Sequence, residues 1–217
     1  MSFALRLSED RLGAGARLTL PAAPRVLYVR EGTVDIVAAA HRIAAGSAWH
    51  AAADIAVLTD GPAVILRFEL LLASPKAAES APGKVETRRL LEHAIALDRT
   101  RAWLMRCDRV DFAPGDVALP HGHKGGGIRC LLAGTLEVTV GDGPSRLMRP
   151  GDAWFESGRE PVLAKSSADA PTAFVRVSVL PREIRGQSSI VYVDPADAAR
   201  GRPRQYTVYV DEPIALG

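Results

Sequence analysis

Short runs rich in Val, Leu and Ile alternate along this chain with Gly, Pro and Asp punctuation, as in GDGPS (141–145) and RPGD (149–152). Within several runs apolar and polar positions alternate with a period of two, the spacing of side chains on one face of a β-strand. Many short strands separated by regular turn signals predict an all-β sandwich or barrel. Residues 101–112, RAWLMRCDRVDF, predict a strand that enters the second half of the chain. The stretch RPRQYTVYVDEPIAL (202–216) sets Tyr206, Val208 and Val210 against polar neighbours. It predicts a strand added to one half or to a partner subunit.

The pattern repeats itself. VLYVREGTVDIV (26–37) answers IRCLLAGTLEVT (128–139), with Gly32, Thr33, Val34 and Asp35 against Gly134, Thr135, Leu136 and Glu137. GSAW (46–49) answers GDAW (151–154), and VILRFEL (64–70) answers FVRVSVL (174–180) with Arg67 opposite Arg176. Ordered correspondences of this kind imply a duplication. Between the halves, LASPKAAESAPGK (72–84) is rich in Ala, Pro and Ser and carries no helical stripe, as a linker would. VETRRLLEHAIAL (85–97) reads equally as a helix by propensity or as an extended arm. The predicted organisation is a first barrel over 1–73, a linker or arm over 74–100, a second barrel over 101–182 and an extended tail over 183–217.

Composition narrows the function classes. A chain of 217 residues, 47% hydrophobic, can bury one large or two small cores. A formal net charge of +2, spread along the chain, leaves no basic stripe for nucleic acid, and 6% aromatics leave few stacking platforms. The N-terminus lacks the cationic start and apolar core of a signal peptide, and no apolar run approaches the roughly 20 residues that span a bilayer. Cys107 and Cys130 fit neither a disulfide framework nor a zinc motif, and both sit in apolar runs as buried thiols. A soluble cytoplasmic protein without nucleic-acid or membrane partners is expected.

The candidate chemistry lies in PHGHKGGGIRCLLAG (120–134). Gly115, five residues, His121-Gly122-His123, three residues, position 127, six residues and Gly134 form one frame, and Pro150-Gly151-Asp152 opens a second. In these frames the chain resembles the cupin superfamily over residues 101–182 and, through the repeat, more weakly over 15–72. The resemblance implies an all-β fold of two cupin-type (double-stranded β-helix, or jelly-roll) barrels in tandem, a bicupin with a degenerate N-terminal half. Cupins commonly hold a divalent metal with three histidines and one glutamate. Here position 127 is glycine, and the third histidine's place, eleven residues after Gly151, is Val162. The first half has no motif histidine and carries Arg25 where the glutamate would be.

Side chains at i and i+2 of a strand share a face, so His121 and His123 can approach one cation. Two ligands bind Zn²⁺, Mn²⁺ or Fe²⁺ poorly, and a third donor is needed. Glu156 in WFES is the first candidate, Glu160 a weaker one; with Glu156 the set would be a facial triad for Fe, Mn, Zn or Ni, and no organic cofactor is implied. Arg129, two residues on from position 127, points into the barrel by the same parity and needs an acid or an anionic ligand beside it. It is the candidate substrate-binding residue. Gly127, in place of a ligand, leaves either a pocket for an anionic group or a bulge. Arg67 and Arg176 occur in both halves, which points to a shared structural role, and Trp49 and Trp154 read as core. His41, His50 and His93 have no companion at ligand spacing, and Lys124 and Lys165 flank the barrel mouth. Two functions follow. One is a metal-dependent enzyme acting on a small polar or anionic molecule by oxygenase, isomerase or hydrolase chemistry. The alternative is a non-catalytic small-molecule binding or sensing bicupin without a tightly bound metal. Exposed strand edges and the β-like tail predict a homodimer.

Overall fold

A computed structural model describes residues 3–72, 83–200 and 204–216. Among the described residues nineteen strands follow one another: β1 (Phe3–Leu12), β2 (Arg17–Leu20), β3 (Arg25–Glu31), β4 (Thr33–Ile36), β5 (His41–Ala44), β6 (Ser47–Ala51), β7 (Ile55–Leu58), β8 (Ala63–Leu72), β9 (Val85–Ile95) and β10 (Trp103–Phe112). Then come β11 (Val117–His123), β12 (Gly127–Ala133), β13 (Leu136–Val140), β14 (Arg146–Met148), β15 (Ala153–Glu156), β16 (Val162–Ser166), β17 (Thr172–Pro181), β18 (Ile190–Tyr192) and β19 (Gln205–Ile214). They form two compact units, Met1–Thr100 with Ile214–Gly217, and Arg101–Pro213. Among the described residues no helix is long and apolar enough to cross a membrane.

Each unit is a pair of antiparallel sheets closed over one core. In the first, β6-β3-β8-β1-β9 faces β2-β7-β4-β5. In the second, β15-β12-β17-β10-β19 faces β14-β13-β16-β11-β18. Strands with one wet face alternate as the sequence predicts: Leu18 and Leu20 of β2 are buried while Arg17 and Thr19 are exposed. The central strands β8 and β17 are instead near-continuous apolar runs buried on both faces. Leu27, Val29, Val34, Ile36, Val57 and Ile65 fill the first core from both sheets. Val110, Phe112, Leu131, Leu136, Trp154 and Phe174 fill the second.

The duplication is visible in the strand register. Trp49, Leu27, Arg67 and Ser8 lie side by side across β6, β3, β8 and β1. Trp154, Arg129, Arg176 and Asp108 occupy the same row across β15, β12, β17 and β10. The next row is Ala51, Arg25, Glu69 and Arg6 in the first unit and Glu156, Gly127, Ser178 and Arg106 in the second. The repeated Gly-Thr has a backbone cause. Gly32 and Gly134 take φ of +76° and +71°, and a Cβ at either would run into the carbonyl oxygen of Pro62 or Pro171.

The segments flanking the second barrel join the sheets. Of the linker or arm read over 74–100, residues 74–82 lie outside the described residues, and Val85–Ile95 is β9, paired antiparallel with β1. Pairing to a long neighbouring strand overrides the helical propensity of its Glu, Arg and Leu residues. The tail read over 183–217 supplies β18 on β11 and β19 on β10, so it completes both sheets of its own chain.

Candidate functional site

His121, His123, Arg129 and Glu156 line one cavity in the second barrel, together with Trp154, Val162, Phe174, Arg176, Arg204 and Tyr206. β11 brings the two histidines in from one sheet, with ring centroids 4.9 Å apart in an edge-to-face arrangement. β12 and β15 bring in Arg129 and Glu156 from the other. Each of the four is less than 10% exposed. The free interior is about 20 Å³, room for a single water molecule. Of the two readings of Gly127, a pocket or a bulge, packing does not support the pocket. A Cβ at 127 would meet Ser178 Oγ and the Val177 carbonyl, and one at 125 would meet the Val179 carbonyl, so this glycine run exists to let backbone approach backbone.

Glu156 is fully engaged. Its Oε1 accepts the indole N–H of Trp154 at 2.8 Å, and its Oε2 lies 2.7 Å from Arg129 Nη2 and 3.4 Å from His123 Nε2. The Arg129 contact is an ion pair rather than an aligned hydrogen bond, since Nη2 has no hydrogen-bond acceptor in line while Nη1 donates to the Gly127 carbonyl at 2.6 Å. Burial raises the carboxyl pKa of Glu156, but the Arg129 charge and the His123 and Trp154 hydrogen bonds outweigh it and hold the group well below the usual carboxylate range. Burial pulls Arg129 down to about 10, so the pair stays ionised at neutral pH. Next to it Arg176 is held by Asp108 in a two-pronged pair at 3.0 and 2.8 Å. Arg67 grips Asp10 the same way in the first unit, consistent with a structural role in both halves.

Burial also decides the state of the histidines. It pushes His123 down to about 3 and lowers His121, so both are neutral at physiological pH. His121 Nδ1 donates to the Leu119 carbonyl at 2.7 Å, which leaves its Nε2 with a free lone pair. His123 directs Nε2 at Glu156, and its Nδ1 is buried with no hydrogen-bond partner. A stability prediction follows. Between the ordinary histidine value of 6.5 and about 3, the unfolded chain accepts a proton that folded His123 refuses. Stability is therefore full above pH 6.5 and falls as pH drops, by roughly 1.4 kcal/mol per pH unit for one such group. Glu156, whose pKa is lowered from 4.5, adds its loss only below that value. Urea midpoints between pH 7 and pH 5 should fall in the wild type and less steeply in His123→Asn; equal slopes would refute the assignment.

A cupin metal needs donors that this cavity does not offer. Val162 stands directly opposite His121 across β11 and β16, an apolar wall where the third histidine would be. The carboxylate is committed to Arg129 and Trp154, and the guanidinium sets a positive charge directly against it. Two neutral ring nitrogens remain, fewer than the three or more protein ligands that divalent ions of this type require. Among the described residues no group of three His, Cys, Asp or Glu is placed to hold an ion. The residues present do not fit a tightly bound divalent metal.

Four participants escape sequence reasoning. Trp154 shares the parity of Glu156 two residues away, which could have flagged it as the carboxylate's donor. Asp108 follows Arg106 by two on β10, but only the register sets it beside Arg176. Arg204 and Tyr206 reach the cavity from the tail, where Arg204 Nη1 bonds the Val117 carbonyl at 3.1 Å and its guanidinium lies over Phe112. Only the tail's alternation hinted that it would fold back. Glu160, the second acid considered, is exposed and bonds Ser157.

No protein-family model and no curated protein matches the sequence. Solved structures do match in shape. An oxalate decarboxylase–formate complex from Lactobacillus farciminis aligns with TM-score 0.62 at 14% identity, over 89% of this chain and 81% of that one. AerE from Microcystis aeruginosa gives TM-score 0.61 at 12% identity, over 81% and 88%. A cupin 2 conserved barrel domain protein from Leptotrichia buccalis gives 0.51 at 16%, over 81% and 83%. At these identities the likeness is one of fold, and with its four sheets and duplicated register the chain carries the cupin fold twice.

Proposed function

We propose that the second barrel is a small-molecule binding or sensing module that works without a tightly bound metal, and that the first barrel is structural. The observation that carries this reading is the engagement of both Glu156 oxygens by Trp154 and Arg129, which leaves two histidine nitrogens, among the described residues of the cavity, as uncommitted donors to a cation. The unpartnered Nδ1 of His123 and the spare Nε2 of His121 are hydrogen-bond acceptors, suited to a water or to a donor group of a ligand. Arg129, with its charge met by Glu156, orients that corner rather than awaiting an anion. The ligand class is a small polar molecule. A cytoplasmic homodimer belongs to the same proposal: neither cysteine is in a disulfide, and β9 and β19 are outermost strands of their sheets. Native mass spectrometry of untagged protein tests the reading, with a metal-free dimer expected. A stoichiometric metal that disappears in His121→Ala would overturn it.

A further inference from the structure

The cavity beside the histidines is too small for a metabolite, yet the second barrel contains a larger one. About 450 Å³ lies where the tail closes the barrel, between β10 and β19 of one sheet and the 186–190 segment leading into β18 of the other. That volume is within the roughly 300–1,000 Å³ typical of small-molecule sites. Arg176 and Tyr206 line both cavities. We infer that this seam, rather than the histidine-lined interior, is the binding site, and that it takes a neutral, hydroxyl-rich molecule of monosaccharide size. The inference rests on the reading of the second barrel as a binding module and assigns that module its site and ligand class.

The charges on the wall choose the class. Arg106 is clamped by Asp211 at 2.9 and 2.8 Å and by the Ile184 and Gln187 carbonyls, and Arg176 by Asp108. Two cations face two anions, so the wall is balanced. An added anion would meet as much repulsion as attraction and still lose its hydration, which is costly for a buried ion. A neutral hydroxyl compound escapes that penalty. It also finds both halves of each hydrogen bond it needs. Arg176 is 5% exposed and spends Nε and Nη2 on Asp108, while Nη1 has no acceptor among the described residues. Ser189 is also 5% exposed, and its hydroxyl has no partner among the described residues. Tyr206 accepts a bond from Arg204 at 3.1 Å and keeps its own proton to donate. Each carboxylate has about four acceptor sites, and Arg176 uses two of those on Asp108. Ile190 and Val208 provide apolar surface for the C–H face of a ring.

The test is a calorimetric and thermal-shift screen of the full chain. The probes are neutral sugars and polyols (glucose, galactose, mannose, xylose, ribose, myo-inositol, sorbitol) beside acids of similar size (gluconate, glucarate, malate, citrate). At least one neutral probe should bind and raise the melting temperature. Ser189→Ala should weaken it roughly fivefold, the worth of one hydrogen bond, and Ser189→Phe, which fills the cavity, should abolish it. Circular dichroism confirms that both variants fold; if either does not, Val208→Trp at the rim replaces it. Preferential binding of an acid overturns the ligand class. Binding that survives Ser189→Phe but is lost in His121→Ala overturns the seam and leaves the binding module intact. Failure of every probe overturns both.

Discussion

Replacing Arg67 with methionine should unfold the first barrel under conditions where the wild type is stable. Arg67 is 3% exposed and holds two carboxylates at once, Asp10 through Nε and Nη2 and Glu69 through Nη1. With the guanidinium gone, Asp10 keeps, among the described residues, the Thr87 hydroxyl at 2.6 Å, and Glu69 keeps Arg25 at 3.0 Å. Breaking one buried pair typically removes about 3–5 kcal/mol because the partner's charge is stranded, a large part of the roughly 5–15 kcal/mol that holds a domain together. Arg67→Lys keeps the charge but loses the fork, so an intermediate loss is expected. Urea unfolding followed by tryptophan fluorescence reads both. A loss below about 1 kcal/mol for Arg67→Met would show that water reaches the cluster and screens it.

The same residues show what one sequence can and cannot reveal. The repeat of Arg67 in Arg176 was legible, and so was its structural meaning, because both stand at one place in matched frames. Parity along a strand needs no tertiary knowledge, and it put His121, His123 and Arg129 inside the second barrel, where they line one cavity. The size of that cavity was hidden. It depends on how Val110, Phe112 and Phe174 of one sheet meet Leu136, Val162 and Ala164 of the other, which no local pattern encodes. Partners across strands were hidden for a related reason, since Asp108 meets Arg176 only through a register that turns and bulges fix. Residues 85–97 could be read two ways because β-pairing is decided by the neighbour, and the tail could not be assigned to its own chain because an edge strand satisfies either sheet equally.

The two barrels also differ by a coordinated change that two rows of each sheet record. Arg25 pairs with Glu69 in the first, where the second has Gly127 and Ser178. The second has Arg129 and Glu156 where the first has Leu27 and Ala51. A buried pair is thus present in each barrel, but in the second the arginine stands one row away and the carboxylate sits in the same row on β15 instead of β8. In the second barrel that arrangement places the carboxylate against His123, and the competition between arginine and a metal for Glu156 becomes an experiment.

Glu156→Gln should strand the Arg129 charge and remove about 3–5 kcal/mol of stability, and Arg129→Met should cause a comparable loss by stranding the carboxylate. The double variant should recover most of it, because an uncharged pair leaves nothing uncompensated; a double-mutant cycle from urea midpoints measures the coupling. Metal affinity separates the pair from the alternative. In the wild type the guanidinium occupies Glu156, so added Zn²⁺ should bind weakly and leave the melting temperature unchanged. Arg129→Met releases a carboxylate 3.4 Å from His123 and removes the neighbouring positive charge, giving two imidazoles and one carboxylate, a donor set that Zn²⁺ accepts. That variant should bind Zn²⁺ more tightly than the wild type and be stabilised by it. If Glu156→Gln instead strips a bound metal while leaving the urea midpoint where it was, the carboxylate is a ligand, and the ion pair with Arg129 is not what holds it in place.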